Sequence, residues 1–411
     1  MLAPAGSWES LNAAIQAGAD AVYFGVDKLN MRARASRSFQ ISDIEKIVET
    51  CRQNRVRSYL TLNTLIYDED LPLLEKIGRA AENAGISAVI VSDMAAVEMA
   101  RRHDLEIHIS TQMNISNIQA VRFYAQFADV MVLARELTLA QIQGICAAVE
   151  KEDIRGPDGN PVRIELFIHG ALCVAVAGKC SMSLALTNHS ANRGDCFQMC
   201  RRTYRVTDTE TDQELEIANR YVLSPGDLCT VGIMDRLIGS GASVFKIEGR
   251  GRAAEYVFHT TRVYRQAMDA VIAGTWKPEK IEAWKQELRT VFNRGFWENG
   301  YYLGESLGAW SGAYGSRATR QKTHVGKVLN YYRKSNIAHV GILNDEIRQG
   351  ETIAITGPTT GYVEFIPESL FVNDRPANHA RKDQEATFPC PEKVRPNDQV
   401  YVIRERTDWQ S

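Results

Sequence analysis

The sequence predicts an α/β protein: a TIM-like (β/α)8 barrel, then a helical linker, then a small C-terminal β-barrel domain. Three observations carry this. Short apolar runs alternate with amphipathic helical stretches over the first two-thirds of the chain, which implies parallel strands joined by right-handed crossovers. The alternation repeats about eight times, the number that closes a barrel. From about Lys322 the texture changes to short strands punctuated by glycine and proline. These divisions give residues 1–275 as a barrel carrying a cysteine-rich insertion, 276–321 as the linker and 322–411 as the β-domain. An open doubly wound sheet is the alternative for the first part.

The barrel strands are expected at Leu2–Ala5, Ala21–Gly25, Tyr59–Asn63, Ala88–Ser92, Glu106–Ser110, Val130–Ala134, Ile164–His169, Tyr221–Ser224 and Val244–Ile247. Nine candidates for eight places leave one as an extra or bottom-plugging strand. Helical patterns lie between them at Trp8–Ala17, Leu71–Ala84, Ala95–Arg102 and Leu139–Val149. The stretch 276–312 is aromatic-rich and reads as helical. The tail supplies His324–Leu329, Ile337–Ile342, Glu351–Ile355, Gly361–Phe365 and Gln399–Ile403.

Polar residues recur where strands end: Asn63, Asp93, Gln112, Arg135, Glu136, His169, Asp227, Lys246, Glu248 and Arg250. In a barrel enzyme that end builds the active site. For Asp93 and Asp227 a helix-capping role competes equally. The run Lys246-Ile-Glu248-Gly-Arg250 is harder to read as caps, because three charges crowd the end of a buried strand.

The 411 residues are 45% hydrophobic with a formal charge of −2, so a nucleic-acid partner would have to meet a local basic patch. Neither an export signal nor a long apolar run is evident, so a cytoplasmic protein is expected, with its eight cysteines as thiols or metal ligands. Four of them, Cys173, Cys180, Cys196 and Cys200, fall within 28 residues, with Cys229 further on. Converging thiolates suit an iron–sulfur cluster or zinc. The paired Cys-x-x-Cys knuckles of structural zinc are absent, and wide gaps fit a cluster held by loops better. Unligated buried thiols are the remaining reading. Cys51, Cys146 and Cys390 stand alone and read as structural.

The stretch Glu165-Leu-Phe-Ile-His-Gly-Ala-Leu-Cys173, continuing to Gly178-Lys-Cys180-Ser-Met-Ser183, resembles the signature of the U-32 peptidase family. The likeness extends to Ala3–Gly6, Gly18–Tyr23, Ser110–Gln112, Arg135–Leu137, Gly194–Cys196, Cys200-Arg201, Ser224–Leu228, Lys246–Arg250 and Val263–Ala267. It covers most of residues 1–275. The family was first labelled collagenase-like, but the resemblance implies a 4Fe–4S protein that inserts oxygen into RNA. The branch with an extra β-domain hydroxylates the wobble uridine of tRNA and requires prephenate. A related branch hydroxylates a ribosomal cytidine. Carried over, Cys173, Cys180 and Cys196 match the first three cluster ligands, with Cys200 or Cys229 as the fourth.

That reading assigns Arg135 and Arg250 to the carboxylates of prephenate, since guanidinium binds carboxylate in bidentate fashion. Lys246, Glu248 and His169 become candidate proton-handling or positioning groups. Three basic runs are candidates for holding the anticodon loop: Arg32, Arg34 and Arg37; Arg201, Arg202 and Arg205; and Arg317, Arg320, Lys322 and Lys327. The third, at the join to the β-domain, is the preferred one. A peptidase is the alternative, with Cys173 and His169 as its conceivable nucleophile and base. A non-catalytic iron–sulfur scaffold is a third reading. The zinc-peptidase pattern His-Glu-x-x-His is absent.

Overall fold

Alternation of apolar strand and amphipathic helix produces a closed barrel in the computed structural model, which describes residues 1–34, 39–215, 223–304, 309–311 and 315–407. Seven strands come in order: β1 (Leu2–Pro4), β2 (Ala21–Phe24), β3 (Arg57–Leu62), β4 (Ala88–Val91), β5 (Ile107–Ile109), β6 (Val130–Val132) and β7 (Arg163–Gly170). The eighth, Val244–Ile247, pairs in parallel with both β1 and β7 and shuts the ring. The open-sheet alternative is therefore overturned. Helices cover the outside: Trp8–Gln16, Ile44–Gln53, Leu71–Ala84, Met94–Arg102, Ile118–Tyr124, Leu139–Lys151 and the long Ala254–Ile272. Asp93 caps its helix by accepting from Ala95 N at 2.9 Å, which settles it as a cap.

Eight of the nine expected strands form the barrel. The ninth, Tyr221–Ser224, lies partly outside the described residues. Just beyond it, Asp227–Cys229 runs antiparallel to the overshooting end of β7, with Leu228 opposite Gly170 and Cys229 opposite His169. Phe296–Glu298 joins this flap in parallel. The stretch expected to be wholly helical thus splits into the helix Pro278–Thr290 and this short strand.

The C-terminal region is an antiparallel sheet around its own apolar core, which includes Val325, Val340, Ile355, Phe388 and Val402. Its longest strand, Arg320–Tyr332, starts just before the expected boundary and shifts register twice, between His324 and Gly326 and between Val328 and Asn330. Such bulges bend a sheet enough to wrap a core. Among the described residues no pairing joins its two edge strands, Gly361–Phe365 and Arg375–Pro376. Against the barrel this region buries Tyr362 beside Ala13, Ala254, Phe258 and Ile403. No helix among the described residues is long and apolar enough to cross a membrane.

Candidate functional site

A cavity of about 220 Å³ opens at the C-terminal mouth of the barrel. Its base is the last inward-facing layer of strand residues, and its lid is the excursion that leaves β7 at Gly170 and returns at Asp227. Cys173, Cys180, Cys196 and Cys200 all line it, as do Arg135, Lys246, Glu248 and Arg250. Asn63, Gln112 and Glu136, also singled out at strand ends, line it too.

Among its described residues the excursion carries one short helix, Met182–Thr187, and one short hairpin, and it is held by specific ties. Arg201 clamps its two ends together: Nη2 donates to Leu172 O at 2.5 Å, while Nη1 donates to Ser224 Oγ at 2.8 Å and Pro225 O at 2.7 Å. Asn114 Nδ2 reaches Ala177 O at 3.0 Å, and Phe197 N donates to Ser183 Oγ at 3.1 Å. Gly194 sits at φ +96°, and a Cβ there would lie 2.7 Å from Asn30 O, so glycine lets the loop before Cys196 reach the β2 loop. Burial raises the Cys200 thiol pKa; Arg201 lowers it, and the other three cysteines raise it, an interaction that reflects their shared space. No three His, Cys, Asp or Glu side chains among the described residues converge on a point fit for a single metal ion. The four thiols share the lining of one cavity.

Cys229 is elsewhere. Its thiol is buried in the flap, pushed up to about 11 chiefly by desolvation, with the Tyr264 hydroxyl at 3.9 Å. It does not line the cavity.

The charged groups form one cluster. Glu248 Oε1 accepts from Arg32 Nε at 3.0 Å and Nη2 at 2.9 Å. Burial alone would raise its carboxyl, but Arg32, Arg135 and Arg250 outweigh that and hold it at about 2. Arg250 is buried and donates to Asn30 Oδ1 at 2.9 Å and Thr61 Oγ1 at 2.7 Å. A Cβ on Gly25 would come within 2.5 Å of its Nη1, so the absence of a side chain there admits the guanidinium. Arg135 stacks on Phe167 at 3.9 Å and donates to Ala171 O at 3.0 Å, while its buried Nε has no protein partner. Lys246 Nζ donates to the fully buried Glu165 at 2.8 Å and lies 4.6 Å over Tyr23. Arg34, Arg201, Arg252 and Arg294 complete the lining, against Glu136 and Glu248 as its carboxylates. The cavity is strongly cationic.

His169 departs from the expectation. It faces away from the cavity, against Tyr256, Tyr264 and Phe296, with Nδ1 3.2 Å from the Tyr264 hydroxyl, and burial pushes its pKa down to about 3. The cause is a bulge. Lys246 pairs with Phe167 but Ile247 pairs with His169, so Ile168 is an extra residue in β7. One extra residue exchanges the faces of everything after it. Phe167 points in and His169 points out. The Ile168 carbonyl, freed from the ladder, accepts from Thr230 and Tyr264 instead.

Two further expectations are corrected. Asp227 is not at the cavity; it is buried in an ion pair with Arg294 at 3.4 Å. Of the basic run at the domain join, Arg320 binds Glu364 at 2.6 Å within the C-terminal sheet, and Lys322 binds Glu255 of the barrel helix at 3.4 Å, so both are engaged by carboxylates and only the second pair ties the two parts together. Arg317 and Lys327 do not line the cavity. Arg37 lies outside the described residues. Sequence reasoning missed Tyr23, Arg252 and Arg294. Tyr23 was readable in hindsight as an inward residue of β2, but nothing in the Asn293-Arg294-Gly295 turn announces a cavity across the fold.

Comparison with known proteins places the chain. It is 50% identical over 408 residues to a protein named collagenase from Porphyromonas gingivalis, covering 99% of this chain and 98% of that one. It is 31% identical to the tRNA hydroxylation protein P1 of Bacillus subtilis, over 91% of this chain and 87% of that one. It is 37% identical to the 23S rRNA 5-hydroxycytidine synthase of Escherichia coli, over 66% of this chain and 39% of that one. A family model described as peptidase family U32 matches residues 6–311, most of the chain and all of its cavity-lining residues, and the protein belongs to that family.

Proposed function

We propose that this protein hydroxylates an unpaired pyrimidine of RNA, the wobble uridine of tRNA in the first instance, using a 4Fe–4S cluster held by Cys173, Cys180, Cys196 and Cys200 and prephenate as the required small molecule. The observation that carries the reading is the joining of four thiols and a surplus of guanidinium groups in one cavity at the barrel mouth. Support also comes from the relatives that are named for tRNA hydroxylation and for hydroxycytidine synthesis. A donor set of four thiols lining one cavity suits a cluster, which when bound supplies one-electron chemistry.

The chain's own residues divide the remaining work. Arg135 and Arg250 present guanidinium groups to the carboxylates of prephenate. Glu248, held ionised by its three arginines, accepts hydrogen bonds and so orients an N–H of the target base; it is too acidic to donate a proton near neutrality. An anticodon-loop base is already single-stranded, so drawing it into the mouth costs little. The rim offers it a stacking surface, where Arg34 lies 3.7 Å over Phe197 and His189 packs on the same ring at 5.3 Å.

The peptidase reading draws on the name of the Porphyromonas relative. A thiol protease pairs its cysteine with an imidazole, and among the described residues no histidine lines the cavity.

The test is iron and acid-labile sulfide in anaerobically purified protein, with mass spectrometry of tRNA from a deletion strain. Expected are about four irons per chain, lost in Cys173→Ala and Cys200→Ala but kept in Cys229→Ala, and a missing hydroxyuridine in the deletion. Iron-free protein, or unchanged tRNA together with altered peptide turnover, would overturn the reading.

A further inference from the structure

Below the cavity the barrel axis is not filled as its strands would suggest. Barrel interiors are usually layers of branched apolar side chains. Here Leu2, Ala21, Tyr59 and Ile90 share the interior with His108 and Glu165, both fully buried. At the N-terminal face Glu106, about one-fifth exposed, accepts from Arg57 at 2.6 Å, from Arg163 and from His108 Nε2 at 2.9 Å. At the other end Glu165 Oε1 accepts from Lys246 Nζ, which lines the cavity. Between these two ion pairs, His108 Nδ1 and Glu165 Oε2 are both buried without a protein partner.

The register puts the two side chains in adjacent layers of the barrel interior. His108 pairs with Val130 and Val130 with Arg163, so Glu165 stands one inward layer nearer the mouth than His108. Burial lowers the His108 pKa, yet Glu165 and Glu106 both pull it upward, so both carboxylates are within electrostatic reach of the ring. Burying charged groups is costly, and leaving two of their polar atoms unsatisfied adds to the cost. A purely structural ion pair needs neither the histidine nor the orphan oxygen.

We propose that Glu106, His108 and Glu165 form a proton relay through the barrel, linking solvent at the N-terminal face to Lys246 on the cavity base, with one water joining His108 Nδ1 to Glu165 Oε2. The relay rests on the proposed function, because the need for it arises when an RNA loop covers the mouth and shuts off solvent there. The Lys246 ammonium gives a proton to Glu165 Oε1; the carboxyl turns to present that proton to the water, which relays it to His108 Nδ1. The imidazolium releases its Nε2 proton to Glu106 and so to bulk water. Lys246 is left neutral, takes a proton from the reacting base and hands it back to the product once the new bond has formed. A proton returning along the same path then restores the ammonium and the original imidazole tautomer, so no net charge is gained or lost.

Two measurements test this. Nitrogen-15 NMR of histidine-labelled protein without RNA reads exchange of the His108 Nε2 proton with solvent. The relay predicts exchange much faster than that of the β5 backbone amides, and equal protection would overturn it whether or not the protein acts on RNA. With tRNA, His108→Ala is expected to slow modification by roughly a hundredfold at unchanged KM, and added imidazole should restore most of the rate. A wild-type rate, or a loss that imidazole does not relieve in a variant with an unchanged unfolding curve, would also overturn it. If His108→Ala does not fold, Glu165→Gln, which keeps the shape, must show the same slowing. Wild-type protein that leaves tRNA unmodified would instead count against the proposed function, with the exchange measurement still deciding the relay.

Discussion

The barrel mouth and the seam between barrel and C-terminal sheet are both rich in basic side chains, and they use them in opposite ways. At the seam each cation has an acid. His259 bridges Glu287 at 2.9 Å and Glu364 at 3.2 Å, Arg262 joins Glu287 at 2.6 Å, and Arg320 joins Glu364 at 2.6 Å. At the mouth Arg135, Arg201, Arg250 and Arg252 line the cavity with no carboxylate in salt-bridge range among the described residues. Matched charge fastens two surfaces, whereas surplus charge awaits an anion. Nothing in the sequence separates Arg320 from Arg250; only the partner does.

The largest effect expected from breaking either arrangement is at the cavity base. Lys246→Met leaves the buried Glu165 carboxylate without its cation and should cost about 3–5 kcal/mol of stability, read by urea unfolding. Adding Glu165→Gln should recover most of it. At the seam Glu364→Ala strands Arg320 and leaves His259 with Glu287 alone, and about 2–3 kcal/mol should be lost while tRNA affinity is unchanged. A matching fall in tRNA affinity would mean that the seam is also a binding surface.

The third prediction separates the two regions by salt. Arg34→Ala should reduce the slope of log affinity for tRNA against log salt by about one, whereas Arg317→Ala with Lys327→Ala should leave it untouched. The reverse result would move RNA binding to the domain join. The smallest effect concerns pH. Burial lowers the His259 pKa, but hydrogen bonds to Glu287 and Glu364 more than reverse this, so it is raised in the folded protein. Its stabilisation is full below the unfolded value of roughly 6.5 and is lost as pH rises through the higher folded value. The melting temperature should therefore fall from pH 6 to alkaline pH, and His259→Gln should flatten that part of the profile.

Much of the architecture was legible because its causes are local. Strands such as Ala88–Val91 are short apolar runs between helices with clear caps, and that alternation shows directly in the chain. The cysteine cluster and the Lys246–Arg250 run were legible for a different reason: charges and thiols crowd where hydrophobic burial would forbid them without a purpose. What escaped was set by non-local geometry. The bulge at Ile168 turned His169 away from the cavity, and no residue in Ile164–His169 signals it. Arg320 and Lys322 looked free because their acids lie far away along the chain. Arg294 reaches the site from a turn beyond the barrel's last helix.

The antiparallel pairing of Leu228 with Gly170 has a consequence for how such a protein can change. Both ends of the thiol-bearing excursion stand on neighbouring strands, about 4.8 Å apart, and Arg201 stitches them together from within. The chain therefore leaves and re-enters the barrel at nearly one point. A segment anchored in this way can lengthen, shorten or change its contents while the ring of strands beneath it keeps its register. The thiols are carried on a removable panel, and the frame is free to stay the same while the panel is rewritten.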